Sequence, residues 1–234
     1  MLSLRAQAGW LGHVMKAVTQ QHHTELTAPF TPYIPKDAVV FDVGAHAGQF
    51  SKLFARMAPN GKVFAFEPSA YARSVLEPAL SWNRIRNVEI APVGLSDAEG
   101  ELVLHTPIKK RGGMGFGLAH LGADAGDRPV MEQTVKLTTM DAFAAAKGLT
   151  RLDFIKADVE GWEAHMLRGG RETLARFKPV LFLEVVEASL ARAGSSPQEI
   201  WDLLTPLGYR ALKSPAFTAV DGYGPHGDYL FVAD

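Results

Sequence analysis

The chain of 234 residues contains no cysteine, and its apolar residues never form a long uninterrupted run. Without cysteine, disulfides, thiolate metal sites and a cysteine nucleophile are excluded; this fits the cytoplasmic location that we expect. No apolar run approaches the roughly 18–20 residues that span a bilayer. Polar residues and glycines interrupt residues 1–21, which therefore do not resemble a signal peptide. We expect a protein with no membrane span.

Neither sign of charge is in excess. Lys and Arg number 24, Asp and Glu number 25, and the formal net charge is -1. A protein that binds nucleic acid through its phosphates is usually clearly basic, so we expect no nucleic-acid partner. The length suits one α/β domain with modest additions, and the sequence shows no internal repeat and no second domain.

Strand and helix patterns alternate from residue 38 onward. Short apolar runs of the kind found in strands buried on both faces occur at residues 38–43, 62–66, 88–91, 152–157 and 180–185. Helical patterns occur at residues 49–57, 69–82, 140–147, 162–177 and 197–207. The alternation predicts an α/β fold with a doubly wound, mostly parallel sheet.

Two pairs of further strands depart from this alternation. Residues 101–106 and 133–137 are predicted to pair with each other, and the glycine-rich residues 107–132 between them are long enough for a lid or substrate loop. Residues 209–212 and 229–232 have no helical pattern between them, which favours an antiparallel pair. We therefore predict that one antiparallel strand completes the sheet.

Two segments outside the regular pattern carry weaker signals. Residues 1–37 are interpreted as a helical extension of a domain of residues 38–234, which packs on that domain or on a second subunit, or serves as a substrate lid. One apolar face of its helix is formed by Leu4, Ala8, Leu11 and Met15. In the long loop, the basic run Lys109-Lys110-Arg111 suits either an acidic acceptor or a solvated surface.

The strongest functional motif is Asp42-Val43-Gly44-Ala45-His46-Ala47-Gly48, between the first predicted strand and the first following helix. Open α/β sheets bind ligands at this carboxyl edge. Gly44 and Gly48 suit a tight turn close to a ligand, and the free N–H groups of the helix start face that ligand. The spacing matches neither the dinucleotide fingerprint nor the P-loop. An ordinary tight turn is the alternative.

A second motif, Glu67-Pro68, ends the second predicted strand. A carboxylate at this position can accept hydrogen bonds from both hydroxyls of a ribose. Pro68 fixes the backbone where the next helix begins. The alternative is a solvated carboxylate, or one that stabilises the helix N-terminus.

These motifs, with Val93-Gly94-Leu95-Ser96-Asp97 and the block Lys156-Ala157-Asp158-Val159-Glu160-Gly161, resemble the FkbM-type methyltransferases. The resemblance implies a Rossmann-like class I methyltransferase fold and methyl transfer from S-adenosylmethionine to oxygen, often on sugars, polyketides or lipid-linked glycans. His46 replaces the middle glycine of the usual methyltransferase motif, which is characteristic of this family.

The resemblance also implies roles for residues around the cofactor. The methionine part is expected near Asp42, Gly44, Ala45, His46 and Gly48. The ribose is expected near Glu67 and Pro68. The adenine is expected near Ser96 and Asp97.

Methylation of an alcohol requires a base or a metal that removes or weakens the hydroxyl proton. Lys156, Asp158 and Glu160 follow one predicted strand, and Glu184 ends the next at the same edge. We predict that all four act in catalysis, with Asp158 as the general base. If the enzyme uses Mg²⁺, Asp158 and Glu184 are the candidate ligands. The alternative for Asp158 and Glu160 is helix capping.

The sequence therefore predicts an S-adenosylmethionine-dependent O-methyltransferase that acts on a sugar or on a glycosylated or polyketide natural product. One alternative is a nicotinamide-dependent oxidoreductase, although the phosphate-binding third glycine is missing. The other is a catalytically inactive cofactor-binding scaffold, which need not have kept the carboxylates at residues 158 and 160. Most histidines in loops and chain ends are expected to be solvated: His22, His23, His105, His120 and His226.

Overall fold

The computed structural model describes residues 4–107, 120–121 and 130–233. Its α-helices are α1 (Leu4–Thr19), α2 (Thr27–Phe30), α3 (Gln49–Met57), α4 (Ala70–Trp82), α5 (Met140–Ala146), α6 (Glu163–Arg168), α7 (Arg171–Phe177), α8 (Glu187–Arg192) and α9 (Pro197–Leu204). Its strands are β1 (Val39–Val43), β2 (Lys62–Phe66), β3 (Val88–Ala91), β4 (Gly94–Ser96), β5 (Gly100–Pro107), β6 (His120–Leu121), β7 (Val130–Thr139), β8 (Phe154–Ala157), β9 (Val180–Val186), β10 (Tyr209–Lys213), β11 (Thr218–Val220) and β12 (His226–Ala233).

An eight-stranded sheet in the order β11-β10-β12-β9-β8-β1-β2-β3 forms the centre of the fold. The five strands from β9 to β3 are parallel neighbours, as the alternating pattern predicts. β12 lies between β9 and β10 and runs antiparallel to both, which confirms the predicted antiparallel strand. The short β11 was not predicted; it forms an antiparallel pair with β10 at the edge.

The central strands are buried on both faces, because side chains alternate along a strand and helices cover both sides of the sheet. In β1, Val40 packs in a cluster with Phe30 and Phe54, whereas the adjacent Phe41 packs in a second cluster that contains Leu183. All five side chains are fully buried. Burial of each such side chain contributes about 1.5–3 kcal/mol, so the positions of the strand ends are firmly held.

A second sheet, in the order β4-β7-β5-β6, follows the third strand of the central sheet. β5 and β7 pair antiparallel along their length, which confirms the predicted pairing of residues 101–106 with 133–137. β4 was not predicted and pairs in parallel with β7. Most of the predicted loop of residues 107–132, including Lys109, Lys110 and Arg111, lies outside the described residues.

The predicted helix of residues 162–177 is two helices, α6 and α7, which meet at Gly169 and Gly170. A Cβ atom at Gly169 would lie 1.9 Å from the carbonyl oxygen of Ser96, so only glycine allows this approach to β4. Other helix ends follow the sequence: Ser69 caps α4 by accepting the N–H of Ala72. The short helix α8 was not predicted.

α1 confirms a helix in the N-terminal segment, but it packs on α4 through a different face from the predicted one. Its inward stripe contains Trp10, Val14, Ala17 and Val18, at the helical spacing i, i+4, i+7 and i+8. Leu11 and Met15, which belong to the predicted face, are each 54% exposed. The helix carries two overlapping apolar stripes. Which of them is buried depends on the surface that α4 presents.

The C-terminal end of α1 is fixed to the domain by two side-chain donors, one of them the buried Lys52. The Lys52 ammonium, on α3, donates to the carbonyl oxygens of Ala17 and Gln20 at 2.5 and 2.7 Å. The Asn83 amide, after α4, donates to the Val18 carbonyl at 3.0 Å. Carbonyls at a helix end have no partner within the helix, so these side chains satisfy groups that would otherwise be buried unpaired.

Lys52→Met is expected to lower the free energy of unfolding by about 1.5–3 kcal/mol, the range for hydrogen bonds to a charged group. Methionine retains most of the aliphatic volume but leaves two carbonyls without a donor. Urea denaturation measures the change. The matched control is Lys62→Met, which removes an exposed ion pair with Glu89 and is expected to change stability by less than about 1 kcal/mol. Unchanged or increased stability of Lys52→Met would mean that desolvation of the ammonium cancels its hydrogen bonds.

Candidate active site

The carboxyl ends of the parallel strands surround a cavity of about 360 Å³, a volume typical of small-molecule sites. Because these strands are parallel, the segments that follow them meet at one edge of the sheet. The predicted site residues that line the cavity are Gly44, Ala45, His46, Glu67, Pro68, Lys156, Asp158, Glu160 and Glu184. Four other predicted residues do not line it: Asp42, Gly48, Ser96 and Asp97.

The turn between β1 and α3, residues 44–48, forms one wall of the cavity and is called the glycine turn. Its two glycines have different roles. Gly44 has a φ of 72°, and a Cβ atom there would lie 2.0 Å from the Asp158 carbonyl oxygen. Gly48 has a φ of 81°, and its Cβ would meet Leu76 of α4 at 2.4 Å. Gly44 therefore lets two site loops touch, whereas Gly48 lets α3 begin close to α4.

Glu67 lies at the end of β2 with its carboxylate in the cavity wall, only 6% exposed. One carboxylate oxygen accepts the backbone N–H of His46 at 2.7 Å, and the other accepts that of Ser69 at 2.8 Å. Burial raises the pKa of Glu67, and these N–H groups oppose the rise. The carboxylate thus holds the glycine turn against β2 and retains acceptor capacity toward the cavity.

Asp42 and Lys156 lie beneath the glycine turn. Asp42 is fully buried and accepts a hydrogen bond from the Ser51 hydroxyl at 2.5 Å. The Lys156 ammonium donates to the carbonyl oxygens of Val43 and Gly44 at 3.3 and 3.1 Å. It lies 3.8 Å from a carboxylate oxygen of Asp42 and 3.8 Å from one of Asp158. Lys156 therefore joins the ends of β1 and β8 and neutralises charge between two carboxylates.

Asp158 and Glu184 both line the cavity, and their carboxyl groups lie close enough to interact as a pair. Burial, followed by the negative charge of Asp158, raises the pKa of Glu184 to about 8. Glu160 and Asp228 add further negative charge, and burial raises the pKa of each of them. Asp228 is the cross-strand neighbour of Glu184 because β12 pairs with β9. Like charges in contact hold a proton near neutral pH, as acid–base catalysis requires.

The structure does not support helix capping by Asp158 and Glu160. α6 begins at Glu163, and Trp162 precedes it at the cap position without a side-chain cap. The buried Glu163 carboxylate instead accepts the N–H of Val159 at 3.0 Å. Glu160 has a left-handed backbone with a φ of 55°. The chain after β8 is thus shaped by its own turn, which points Asp158 and Glu160 at the cavity.

Ser96 and Asp97 do not line the cavity, and their side chains contact neighbouring residues. The Trp162 indole N–H donates to the Ser96 hydroxyl at 3.1 Å, and Arg168 forms an ion pair with Asp97 at 3.1 Å. The cavity is lined at this end by Val93, Gly94 and Leu95, immediately before them. The backbone and apolar side chains of this segment, and not Ser96 or Asp97, therefore form this part of the cavity wall.

Sequence reasoning missed four cavity residues with aromatic rings: His23, Phe50, Phe66 and Trp162. His23 was expected to be solvated, but its ring stacks on Phe50 at a centroid distance of 4.3 Å. Phe50 matches the apolar spacing of α3, so its pattern indicates only a core residue. Trp162 directly follows the Lys156–Gly161 block, which was a signal that it lies at the site. No sequence pattern links His23 to the distant strand ends.

No group of three or more His, Asp or Glu side chains that could hold a metal ion occurs among residues 4–107, 120–121 and 130–233. In the same ranges no helix is both long and apolar enough to cross a membrane.

The curated proteins of similar sequence include a synthetase and a methyltransferase. The AMB antimetabolite synthetase AmbE of Pseudomonas aeruginosa is 30% identical over an alignment of 209 residues, which covers 75% of this chain and 10% of that protein. The 2-O-methyltransferase NoeI of Sinorhizobium fredii is 27% identical over 211 residues, which covers 83% of this chain and 79% of that protein. The chain thus spans only a tenth of AmbE but most of NoeI.

The solved structures that share the fold include two methyltransferases. The methyltransferase FkbM of Methylobacillus flagellatus aligns with a TM-score of 0.53 at 12% identity, over 97% of this chain and 59% of that one. A methyltransferase of Streptococcus mutans in complex with SAH aligns with a TM-score of 0.50 at 13% identity, over 92% of this chain and 99% of that one. The fold is that of the class I methyltransferases.

The family model of the methyltransferase FkbM domain matches residues 42–211, from the acid of the glycine turn to β10. This range contains every predicted site residue. The chain therefore belongs to the FkbM methyltransferase family.

Proposed function

We propose that this protein is an S-adenosylmethionine-dependent O-methyltransferase that methylates a hydroxyl group of a small molecule, a sugar or a glycosylated or polyketide natural product. The observation that carries the proposal is the Asp158–Glu184 carboxyl pair, which shares one cavity with the glycine turn and Glu67. The cavity thus combines features of a nucleoside-binding edge with a group able to accept a proton.

The cavity residues fit S-adenosylmethionine. Gly44, Ala45 and His46 line one wall of the cavity. Because Gly44 has no side chain, the backbone at this position is accessible to a ligand. Glu67 presents a carboxylate for ribose hydroxyls, and Val93 to Leu95 offer an apolar edge for an adenine. The Streptococcus mutans neighbour, whose structure contains SAH, supports the same cofactor class. When bound, S-adenosylmethionine supplies a methyl group already activated on a sulfonium.

The carboxyl pair then handles the proton of the acceptor. With the cofactor bound, methyl transfer to the acceptor oxygen would release the hydroxyl proton, which Asp158 and Glu184 are placed to accept. A pair that binds its proton with a pKa near 8 is matched to this task near neutral pH. Lys156 contacts both the glycine turn and the Asp158 carboxylate, and so fixes their relative position. This supports the in-line alignment of acceptor oxygen, methyl carbon and sulfur that methyl transfer needs.

The acceptor is proposed from chemistry and from one relative. A carboxyl pair is suited to a hydroxyl, because an alcohol needs a base before it attacks. The relative NoeI is described as a 2-O-methyltransferase, which supports oxygen as the atom methylated. For the alternative of a nicotinamide cofactor, the phosphate-binding turn would need a third glycine that is absent here.

Two measurements test the proposal. S-adenosylhomocysteine at 100 times its dissociation constant should stabilise the fold by about 2.7 kcal/mol, whereas NADH should not. Mass spectrometry with methyl-labelled S-adenosylmethionine should then detect a labelled ether on one of a panel of methyl glycosides. Stabilisation by NADH alone would favour an oxidoreductase. Cofactor binding with no turnover on glycosides, polyketide alcohols or other hydroxyl compounds would favour an inactive scaffold.

Glu67→Ala is expected to weaken S-adenosylhomocysteine binding by about 1.5–3 kcal/mol, the range for hydrogen bonds to a charged group. It should also lower the stability of the free protein, because the N–H groups of His46 and Ser69 lose their acceptor. Calorimetric titration and thermal denaturation measure the two effects. The control Glu77→Ala removes an exposed carboxylate of α4 and should leave both unchanged. Full affinity in Glu67→Ala would remove the ribose contact from the proposal.

A further inference from the structure

His23 is an unexpected cavity residue, because it belongs to the N-terminal segment and precedes the residues that match the family model. The segment is fastened to α3 beside the cavity. The Gln21 amide donates to the Gln49 carbonyl at 3.0 Å, and the His22 N–H donates to the Gln49 side chain at 3.1 Å. The buried Lys52 holds the preceding turn. The position of His23 is therefore fixed by the contacts of the residues that precede it.

The backbone and ring of His23 are also constrained. The residue has a left-handed φ of 63°, which a non-glycine residue adopts only where its surroundings impose it. Its ring is nearly parallel to the Phe50 ring, with an interplanar angle of 14°. Phe50 in turn lies 5.1 Å from the Lys156 ammonium. The imidazole thus extends the wall formed by the catalytic residues instead of pointing freely into solvent.

The ring nitrogens of His23 have no hydrogen-bond partner within the part of the chain that the structure describes. The nearest carboxylate on its own segment, that of Glu25, is 3.9 Å from Nδ1. Burial lowers the pKa of His23, so the ring is neutral at pH 7 and carries one donor and one acceptor. The charged groups that influence it from across the cavity are Lys156 and Asp158.

We propose that His23 binds the acceptor, by a hydrogen bond from its imidazole to a second hydroxyl next to the one that Asp158 and Glu184 deprotonate. This inference rests on the proposed function and narrows its substrate class to polyhydroxylated acceptors, of which sugars are the commonest. The carboxyl pair and the imidazole then bind two neighbouring hydroxyls of the acceptor. The aromatic rings of His23 and Phe50 contact the apolar face of the acceptor ring that carries these hydroxyls. A donor–acceptor group fits a hydroxyl, which is itself both donor and acceptor.

His23→Phe tests this inference, because it keeps a ring on Phe50 and removes both nitrogens. On the glycoside that the wild-type protein methylates, we expect KM to rise about three- to tenfold, the loss of one neutral hydrogen bond. The S-adenosylhomocysteine dissociation constant and kcat should change less than twofold. His23→Gln, which restores an amide near the ring nitrogen, should recover part of the affinity. The control His22→Phe places the same ring at the neighbouring position, outside the cavity wall, and should leave KM unchanged.

A deoxy glycoside that lacks the neighbouring hydroxyl completes the cycle. The wild-type protein should discriminate against it about three- to tenfold in kcat/KM, and His23→Phe should lose that discrimination. Equal discrimination by both proteins would overturn the role of His23 and leave the methyltransferase proposal standing. If the wild-type protein binds S-adenosylhomocysteine but methylates no glycoside, the sugar acceptor fails, and the His23 inference fails with it.

Discussion

Asp158→Asn is expected to lower turnover by roughly 10²–10⁴ and to leave S-adenosylhomocysteine affinity within a few-fold. The asparagine amide cannot accept the hydroxyl proton, and it ends the carboxyl pair with Glu184. The fold should tolerate the change because the Asp158 side chain is 44% exposed and caps no helix. Single-turnover kinetics with calorimetric titration measure the two effects. Asp202→Asn, on the exposed face of α9, is the matched control.

The pH profile separates the carboxyl pair from other bases. Turnover of the wild-type protein should rise as pH increases through about 8, where Glu184 loses its proton and the pair becomes fully ionised. In Asp158→Asn the remaining turnover should rise at a lower pH, because the negative charge that helps to raise the pKa of Glu184 is gone. An unchanged midpoint would assign the proton to another group.

Glu184→Gln adds a stability test that does not depend on the acceptor. The pKa of Glu184 is raised in the folded state, so its contribution to stability is present at pH values below about 4.5 and is lost as pH rises through 8. Glutamine does not titrate. Thermal denaturation should therefore show that the stability of the variant, relative to that of the wild-type protein, increases between pH 5 and pH 9.

A metal ion is the other interpretation of the pair. Loss of turnover with a chelator and its return with Mg²⁺ would show that Asp158 and Glu184 act as ligands. Wild-type turnover in Asp158→Asn would contradict both interpretations.

Gly44→Ala is expected to abolish measurable S-adenosylhomocysteine binding and to lower the free energy of unfolding by about 2–5 kcal/mol. A left-handed φ of 72° costs an alanine about 1–2 kcal/mol. Its Cβ would also overlap the Asp158 carbonyl oxygen, and overpacking of this kind costs about 1–3 kcal/mol. Relief of the overlap requires the turn to move away from β8, which would disturb the cavity wall where we propose that the cofactor binds.

Urea denaturation and calorimetric titration measure both effects of Gly44→Ala. Gly100→Ala is the control, because a Cβ atom at Gly100 meets nothing within 4 Å. The two variants should therefore differ in stability and in cofactor affinity. A stable Gly44→Ala protein that binds S-adenosylhomocysteine normally would refute the close contact between the two site loops.

Sequence reasoning succeeded where a local pattern and a position on the sheet coincide. The buried runs at β1, β2, β8 and β9 predict parallel strands, and the residues just after parallel strands necessarily meet at one edge. Asp158 and Glu184 could therefore be placed at one site, although 26 positions separate them in the sequence. The helical character of residues 162–177 was also predicted, although Gly169 and Gly170 divide the segment into two helices.

Sequence reasoning failed where the burial of a side chain depends on the element that packs against it. α1 carries two overlapping apolar stripes, and the stripe of Trp10 and Val14 is buried only because α4 offers matching side chains. Ser96 and Asp97 match the family motif, but they contact Trp162 and Arg168 and do not line the cavity; their contact with an adenine stays a prediction. Neither outcome can be deduced from residue spacing.

The alternating strands and helices, the glycine turn and the acids at the strand ends follow from the sequence alone, because periodicity and backbone conformation are local properties. The lining of the cavity, the raised pKa of Glu184 beside Asp158 and the place of His23 in the wall follow only from the folded structure. These properties depend on distances and burial between segments far apart in the chain. Electrostatic and packing energies are set by those distances, which no local pattern encodes.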